Sequence, residues 1–322
     1  SVERCAGTSA KAQHFKRAVF VMSTRSAAVE TVLIGVKRRG ADYYELAKPN
    51  VVSMVLVTAF VGFYVASPEI PKYLLLIKML FGTALAAGGT LALNQFIERD
   101  TDALMARTRR RPIPDGRVQP VEALCFGLLL ALSGLAYLAL AVNFLSALVT
   151  AFITLSYLVL YTPMKPRSSL CMIVGAVPGA LPPVIGWVAA RGDFDIAAWV
   201  LFAIMFLWQI PHTLAIARLY RDDYAKAGIQ FLPVIEPDGG STNRQIVSHC
   251  AALLAVSLLP TLLGLAGGVY FIVAFFLGCG FLGSGIRLAT SSTLTRARQL
   301  LFASLIYLPV LLLVMALNRV PS

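Results

Sequence analysis

Long apolar runs alternate with short polar breaks along almost the whole chain after its first 40 residues. A helix that crosses a lipid bilayer needs about 20 mostly apolar residues, and nine runs meet that requirement. They cover residues 50–68, 72–94, 121–141, 143–161, 170–190, 196–218, 246–266, 268–287 and 299–318. The pattern predicts an all-α polytopic membrane protein with about nine transmembrane helices.

Composition supports this prediction, because only 14% of the residues are charged and 58% are hydrophobic. Soluble globular proteins carry about a quarter charged residues, so an ordinary soluble domain is excluded. With the N-terminus placed inside, 24 of the 28 lysines and arginines fall in inner segments. This asymmetry predicts a cytoplasmic N-terminus and an outer C-terminus. It also accounts for the net charge of +12 without a nucleic-acid partner.

Residues 1–41 form a basic stretch without the apolar core of a signal peptide. We interpret them as a cytoplasmic tail, expected to be disordered, before a membrane domain over residues 42–322. A weak likeness to a mitochondrial presequence is the alternative. The expected location is therefore a bacterial inner membrane, with the mitochondrial inner membrane as the second choice.

A dense charge cluster, "NQFIERDTDALMARTRRRPIPDG", follows the second apolar run. Asn94, Glu98 and Asp102 have spacing i, i+4, i+8, so a continuing helix would stack them on one face with about 40° of drift per step. Oxygen ligands of this kind suit Mg²⁺, and the arginines that follow suit phosphate. The alternative is a solvated helix end with local ion pairs. The cost of ionisable residues at membrane depth favours a functional site.

A second polar connection contains "RLYRDDYAKAGIQF". Asp222 and Asp223 are adjacent, so on a helix they point about 100° apart. A local ion-pair network and a second metal or diphosphate site both remain open on spacing alone. His212 follows a proline inside an apolar run, where an interior histidine is commoner than a ligand.

The segment between these connections holds further candidates. Tyr161 and Lys165 would share a helix face, although the neighbouring prolines interrupt a regular helix. Arg167 follows in the same basic loop, which has an ordinary inner loop with an interfacial tyrosine as its alternative. In "GAVPGALPPVIGW", Gly175 and Gly179 allow close helix packing, and the prolines are expected to break the helix and shape a cavity.

Taken together, "YYELAKPNV", "NQFIERDTDALMARTRRRPIP", "YTPMK", "GALPPVIGW" and "WQIPH…DDYAKAGIQFLPV" resemble the UbiA-like intramembrane prenyltransferases. They resemble most their heme-specific branch, the protoheme IX farnesyltransferases, from about Asp42 onward. The resemblance implies Mg²⁺-dependent transfer of farnesyl from farnesyl diphosphate to the 2-vinyl group of protoheme IX (heme B), with Mn²⁺ as an alternative metal. The product would be heme O for heme A and terminal oxidases. Membrane lipid and heme A synthase are the other implied partners.

The resemblance also implies roles for individual residues. The implied metal ligands are Asn94, Glu98, Asp102, Asp222 and Asp223. The implied diphosphate-binding residues are Arg107, Arg111, Lys165, Arg167 and Lys226. The implied catalytic group is Asn94, Glu98, Asp102, Tyr161, Lys165 and Asp223. His212 is a heme-binding candidate.

The chain departs from the wider family at Tyr224, where an acid would complete the second acidic motif. This puts a full second metal site in doubt. Two other functions remain as alternatives. One is prenyl transfer to an aromatic or quinone-precursor acceptor, and the other is ion-coupled transport.

Overall fold

A computed structural model describes residues 39–68 and 70–320. By its contacts the chain divides into two units, Ser1–Glu45 and Leu46–Ser322. Almost all of the predicted tail, residues 1–41, lies outside the described residues. Within the described part, the regular structure is helical, and the only β-pairing is an isolated bridge between Ala266 and Arg319.

Nine of the described helices are long and apolar enough to cross a membrane. We number all helices of Leu46–Ser322 in chain order, including two short ones, α7 and α8. They are α1 Pro49–Ala66, α2 Tyr73–Leu104, α3 Pro120–Ala141, α4 Phe144–Met164, α5 Cys171–Arg191, α6 Ile196–Leu219, α7 Arg221–Lys226, α8 Leu232–Ile235, α9 Gly240–Leu262, α10 Gly268–Ser291 and α11 Leu294–Leu317. The predicted all-α polytopic architecture is therefore confirmed.

The helix boundaries differ from the apolar runs where polar residues continue a helix. Helix α2 extends to Leu104, ten residues past the predicted end at 94, which confirms that the helix continues through the column from Asn94 to Asp102. Helix α9 begins at Gly240, six residues before the predicted start at 246. Its first turn is polar, so hydropathy alone excludes that turn although the backbone is helical.

Small residues let the helices approach closely, as membrane helices require when they gain no hydrophobic driving force from association. A Cβ added to Gly186 of α5 would lie 1.9 Å from the carbonyl oxygen of Ala59 in α1. A Cβ on Gly89 of α2 would lie 2.3 Å from the backbone nitrogen of Ala131 in α3. These two contacts fix how α1, α2, α3 and α5 are rotated about their axes.

Two irregular segments interrupt helices α4 and α5. Residues 156–161 of α4 form a π-helical turn, and Pro163 follows it. Pro163 has no N–H to bond to the carbonyl four residues earlier, which favours the wider turn. Helix α5 is interrupted at Leu181, as its prolines predict. The predicted close packing at Gly175 and Gly179 is also present, against the side chains of Tyr161 and Gln209 respectively.

Candidate active site

A cavity of about 170 Å³ lies where α2 and α4 end and the two long polar connections meet. We call it the charged cavity. Its lining includes four basic and two acidic side chains together with three tyrosines or amides from α2 and α4. These are Lys48, Arg107, Arg111, Lys165, Glu98, Asp102, Asn94, Tyr157 and Tyr161. The structure therefore brings the predicted oxygen column and most of the predicted phosphate-binding residues to one place.

The two acids of the column are held by cations from two different connections. Asp102 is buried, with 1% of its surface exposed. Its carboxylate accepts a hydrogen bond from Arg111 at 2.5 Å. The Glu98 carboxylate accepts one from Lys165 at 2.5 Å. The side chain of Thr108 closes the end of α2 by donating to the Asp102 carbonyl at 2.8 Å. Charged hydrogen bonds of this kind orient the oxygens toward the cavity and offset the cost of burying them.

The amide at the start of the column is fixed by three further hydrogen bonds. Lys48 donates to the Asn94 side-chain oxygen at 3.0 Å, and the Asn94 nitrogen donates to Thr162 Oγ1 at 3.2 Å. Thr162 in turn donates to the Tyr157 carbonyl at 2.8 Å. This chain of donors assigns which end of the Asn94 amide is oxygen. The amide oxygen is directed to Lys48, on the inner side of the charged cavity.

Sequence reasoning missed Lys48, which had counted only as one basic residue of the tail. Its backbone adopts a left-handed conformation, with φ 51°, directly before Pro49 opens α1. Burial, and then the neighbouring Arg111, lower the pKa of Lys48 to about 7. The available signal was a lysine immediately before the proline at the start of the first apolar run.

Lys165 occupies the opposite electrostatic environment. Its amino group donates a hydrogen bond to the Glu98 carboxylate and also lies 4.5 Å from the centre of the Tyr161 ring. Burial alone would lower the pKa of Lys165, but Tyr161 and Glu98 outweigh burial, so the pKa is raised. Lys165 therefore remains a cation in the pH range where Lys48 loses its proton.

The second polar connection contributes aromatic and apolar side chains, and not its acids, to the charged cavity. Asp222 and Asp223 line a separate cavity of about 510 Å³, together with Arg218 and Glu236. Lys226 and Arg167 line neither of these two cavities. The side chains of this connection that reach the charged cavity are those of Tyr224, Ile229 and Phe231.

An apolar cavity of about 150 Å³ adjoins the charged cavity, because Tyr157 lines both. Its walls come from α1, α2, α4 and α5 and include Val55, Leu91 and Ile185. The threonine hydroxyls in its walls are engaged within the protein. Thr90 and Thr154, for example, share a hydrogen bond of 2.9 Å. The space therefore offers few free polar groups to a ligand.

His212 lies in α6 and lines neither the charged nor the apolar cavity. Its ring stacks on Trp208, with centres 4.8 Å apart, and Nδ1 lies 2.7 Å from Ser304 Oγ of α11. Since Ser304 Oγ donates to the Leu301 carbonyl at 2.6 Å, it accepts from Nδ1–H. The arrangement leaves Nε2 as the acceptor nitrogen, which is the form that can ligate a metal.

The donor set of the charged cavity fits a Mg²⁺ ion that is shared with phosphate. Two carboxylates and one amide oxygen supply only part of the six oxygens that Mg²⁺ takes. Across the described residues, no group of three or more His, Cys, Asp or Glu side chains is placed to hold a metal. Four cations surround two anions, so the cavity as a whole complements a metal-bound polyanion better than a bare cation.

Comparisons with known proteins agree with this geometry. The model of the UbiA prenyltransferase family matches residues 55–306. A protein of Solibacter usitatus (strain Ellin6076) named protoheme IX farnesyltransferase is 48% identical over 86% of this chain and 98% of its own length. One of the same name from Myxococcus xanthus (strain DK1622) is 42% identical over 93% and 99%.

Solved structures share the fold at low sequence identity. A digeranylgeranylglyceryl phosphate synthase superposes with a TM-score of 0.75 at 17% identity, covering 87% of this chain and 98% of that one. A UbiA homologue from Archaeoglobus fulgidus bound to GPP and Mg²⁺ gives a TM-score of 0.56 at 16% identity, covering 85% and 99%. The family model and the close relatives together establish that this chain belongs to the UbiA prenyltransferase family.

Proposed function

We propose that this integral membrane prenyltransferase transfers farnesyl from farnesyl diphosphate to the 2-vinyl group of protoheme IX and so forms heme O. The relatives from Solibacter usitatus and Myxococcus xanthus carry the name of this activity and match this chain over most of their length. The observation that carries the proposal is a charged cavity that adjoins an apolar one at Tyr157. This pairing suits a ligand with a diphosphate head and a hydrocarbon tail.

The head group would occupy the charged cavity. Arg107 and Arg111 are placed to bind diphosphate oxygens, and Lys165 and Lys48 line the same space. Asn94, Glu98 and Asp102 would hold Mg²⁺. The bound metal would neutralise charge that develops on the departing diphosphate. The proposed site does not include Asp222 and Asp223, because they line the separate cavity that they share with Arg218 and Glu236.

The farnesyl chain would lie in the apolar cavity, where few hydroxyls are free to trap a carbocation. In the transfer, the bond between farnesyl C1 and the diphosphate oxygen breaks, and the diphosphate leaves with the electron pair. The vinyl π electrons of protoheme form the new bond to C1. Water adds to the resulting porphyrin-side cation and loses a proton, which gives the hydroxyethylfarnesyl group. The rings of Tyr157 and Tyr161, which line the charged cavity, would stabilise positive charge at C1.

We further propose that the charged cavity opens toward the cytoplasm of a bacterial inner membrane. The asymmetry of 24 among 28 basic residues supports this orientation. The close relatives named above are bacterial proteins. Farnesyl diphosphate is a charged solute, so entry from the aqueous side next to the arginines needs no passage across the bilayer.

Mass analysis of extracted heme tests the proposed reaction. Expression of the chain in cells that lack heme O is expected to yield a heme heavier than heme B by one farnesyl group plus one hydroxyl group. Asp102→Ala at equal membrane abundance is expected to yield heme B alone. Heme B alone from the intact, membrane-inserted chain would overturn the proposal, and a prenylated aromatic acid instead would favour the quinone-precursor alternative.

A further inference from the structure

We propose that Tyr220 and Tyr224 form an aromatic clamp that positions Arg107 for the diphosphate, and that this is the contribution of the second polar connection to the active site. The inference rests on the proposed function, in which Arg107 binds diphosphate. It assigns positioning roles to two tyrosines and gives none to the adjacent acids.

The clamp is defined by three contacts from one guanidinium group. Arg107 Nη2 donates to the Tyr224 hydroxyl at 3.3 Å. The Arg107 Cζ atom lies 5.3 Å from the centre of the Tyr220 ring and 5.8 Å from the centre of the Tyr224 ring. Both separations are within the range of cation–π attraction. Tyr220 directly precedes α7 and Tyr224 lies within it, so both rings reach the guanidinium from one short segment.

Arg107 differs from the other cations of the charged cavity in its partners. Arg111 pairs with Asp102, and Lys165 pairs with Glu98. Lys48 donates to the amide oxygen of Asn94. Within the described residues, Arg107 has only the neutral tyrosines as side-chain partners. Like Lys48, Arg107 has no carboxylate partner among the described residues, and as a guanidinium it keeps its full charge available to an anionic ligand.

The clamp also supplies order that Arg107 lacks by itself. Arg107 is exposed on the turn after α2, where a long side chain otherwise samples many rotamers. Tyr224 is 8% exposed and packs edge-on against Phe231, with ring centres 4.8 Å apart. The backbone N–H of Gln230 donates to the Lys165 carbonyl at 2.8 Å, which ties the connection to the end of α4. A fixed tyrosine thus holds a mobile arginine at the cavity.

A tyrosine suits this position better than an acid would. A carboxylate beside Arg107 would pair with the guanidinium and cancel the charge that a diphosphate needs. Burial raises the pKa of Tyr224 although Arg107 opposes the shift, so the phenol remains neutral and accepts the hydrogen bond without cancelling charge. The departure at Tyr224 from the acidic motif therefore has a positive physical role.

Kinetics of the purified enzyme test the clamp through Tyr220, which is 42% exposed and tolerates substitution without disturbing the core. Tyr220→Leu is expected to raise the KM for farnesyl diphosphate about fivefold while kcat and the KM for protoheme change less than about twofold. Tyr220→Phe retains the aromatic face and is expected to behave as wild type. Tyr224→Phe removes only the hydroxyl and is expected to raise the same KM about threefold.

A double-mutant cycle then decides whether the tyrosines act through Arg107. In an Arg107→Gln background, Tyr220→Leu is expected to add less than about a twofold change. An unchanged KM in Tyr220→Leu, or effects that multiply fully with Arg107→Gln, would overturn the clamp. Binding of inorganic pyrophosphate with Mg²⁺, measured by calorimetry, is expected to weaken in Tyr220→Leu by the same factor. This readout needs no acceptor, so it separates failure of the clamp from failure of the proposed heme reaction.

Discussion

The two long polar connections look alike in composition but contribute differently to the site. The first, with the end of α2, directs its acids into the charged cavity, where Asp102 and Glu98 each bind a cation. The second directs Asp222 and Asp223 into another cavity and presents Tyr224 to the charged one. Helical phase explains the first case, because residues four apart share a face of α2, whereas in the second case the position of α7 directs both aspartates to another cavity.

This difference teaches that the number of charges in a segment does not determine which of them meet. Both arginines of the cavity come from the first connection, but Arg111 is paired with Asp102, whereas Arg107 is held by aromatic rings of the second connection. A paired arginine is anchored at the cost of part of its charge. An arginine held by tyrosines keeps its charge.

Removal of divalent metal is expected to have the largest effect and to reveal whether the second connection binds a metal of its own. Turnover of farnesyl diphosphate and protoheme is expected to stop with excess chelator and to return with Mg²⁺. Calorimetry with pyrophosphate present is expected to give about one Mg²⁺ per chain, since in the proposed site the metal ligands come from one connection. Full turnover with chelator would contradict the metal site, and two ions per chain that fall to one in Asp222→Asn would show that the second connection binds a metal.

A matched pair of substitutions compares the acids of the two connections directly. Asp102→Asn is expected to lower kcat/KM about 100-fold or more, because it removes the charge that holds Arg111 and that would bind the metal of the proposed site. Asp222→Asn is the control and is expected to change kcat/KM less than about twofold. Equal losses from both substitutions, at equal abundance in membranes, would show that both acids serve one site.

Lys48 provides a smaller test that lies outside both connections. Lys48→Met removes the hydrogen bond to Asn94 and one cation of the cavity. We expect the KM for farnesyl diphosphate to rise about tenfold. Lys226→Met is the control, because Lys226 lines neither the charged cavity nor the cavity lined by Asp222 and Asp223. A KM for Lys48→Met that equals the wild-type value would remove Lys48 from the site.

Substitution of His212 is expected to have the smallest effect. It tests whether binding of protoheme depends on a region away from both connections. If Nε2 of His212 ligates the heme iron as proposed here, His212→Ala is expected to weaken protoheme binding about threefold in an absorbance titration. His249→Ala is a matched control, since its Nδ1 contacts the carbonyl of Gln245 in its own helix. Titrations that coincide for wild type and His212→Ala would remove His212 from the heme site.

Much of the architecture was predictable from local sequence. Apolar run length identified nine spans, and the i, i+4, i+8 spacing identified the column from Asn94 to Asp102. The boundaries that were wrong, such as the start of α9 at Gly240, are those where polar residues extend a helix beyond its apolar run. Apolar run length cannot detect such turns, because it measures hydrophobicity and not backbone conformation.

The sequence by itself determined the helices, their faces and the family, because periodicity along a chain is a local property. Only the tertiary structure decided that Lys48 meets Asn94, that Arg107 meets Tyr220 and Tyr224, and that Asp222 lies elsewhere. Arg107 and Tyr224 are 117 residues apart. Their meeting depends on how helices rotate and approach, which contacts such as Gly186 against Ala59 fix. Such contacts join distant segments, and no spacing within either segment encodes them.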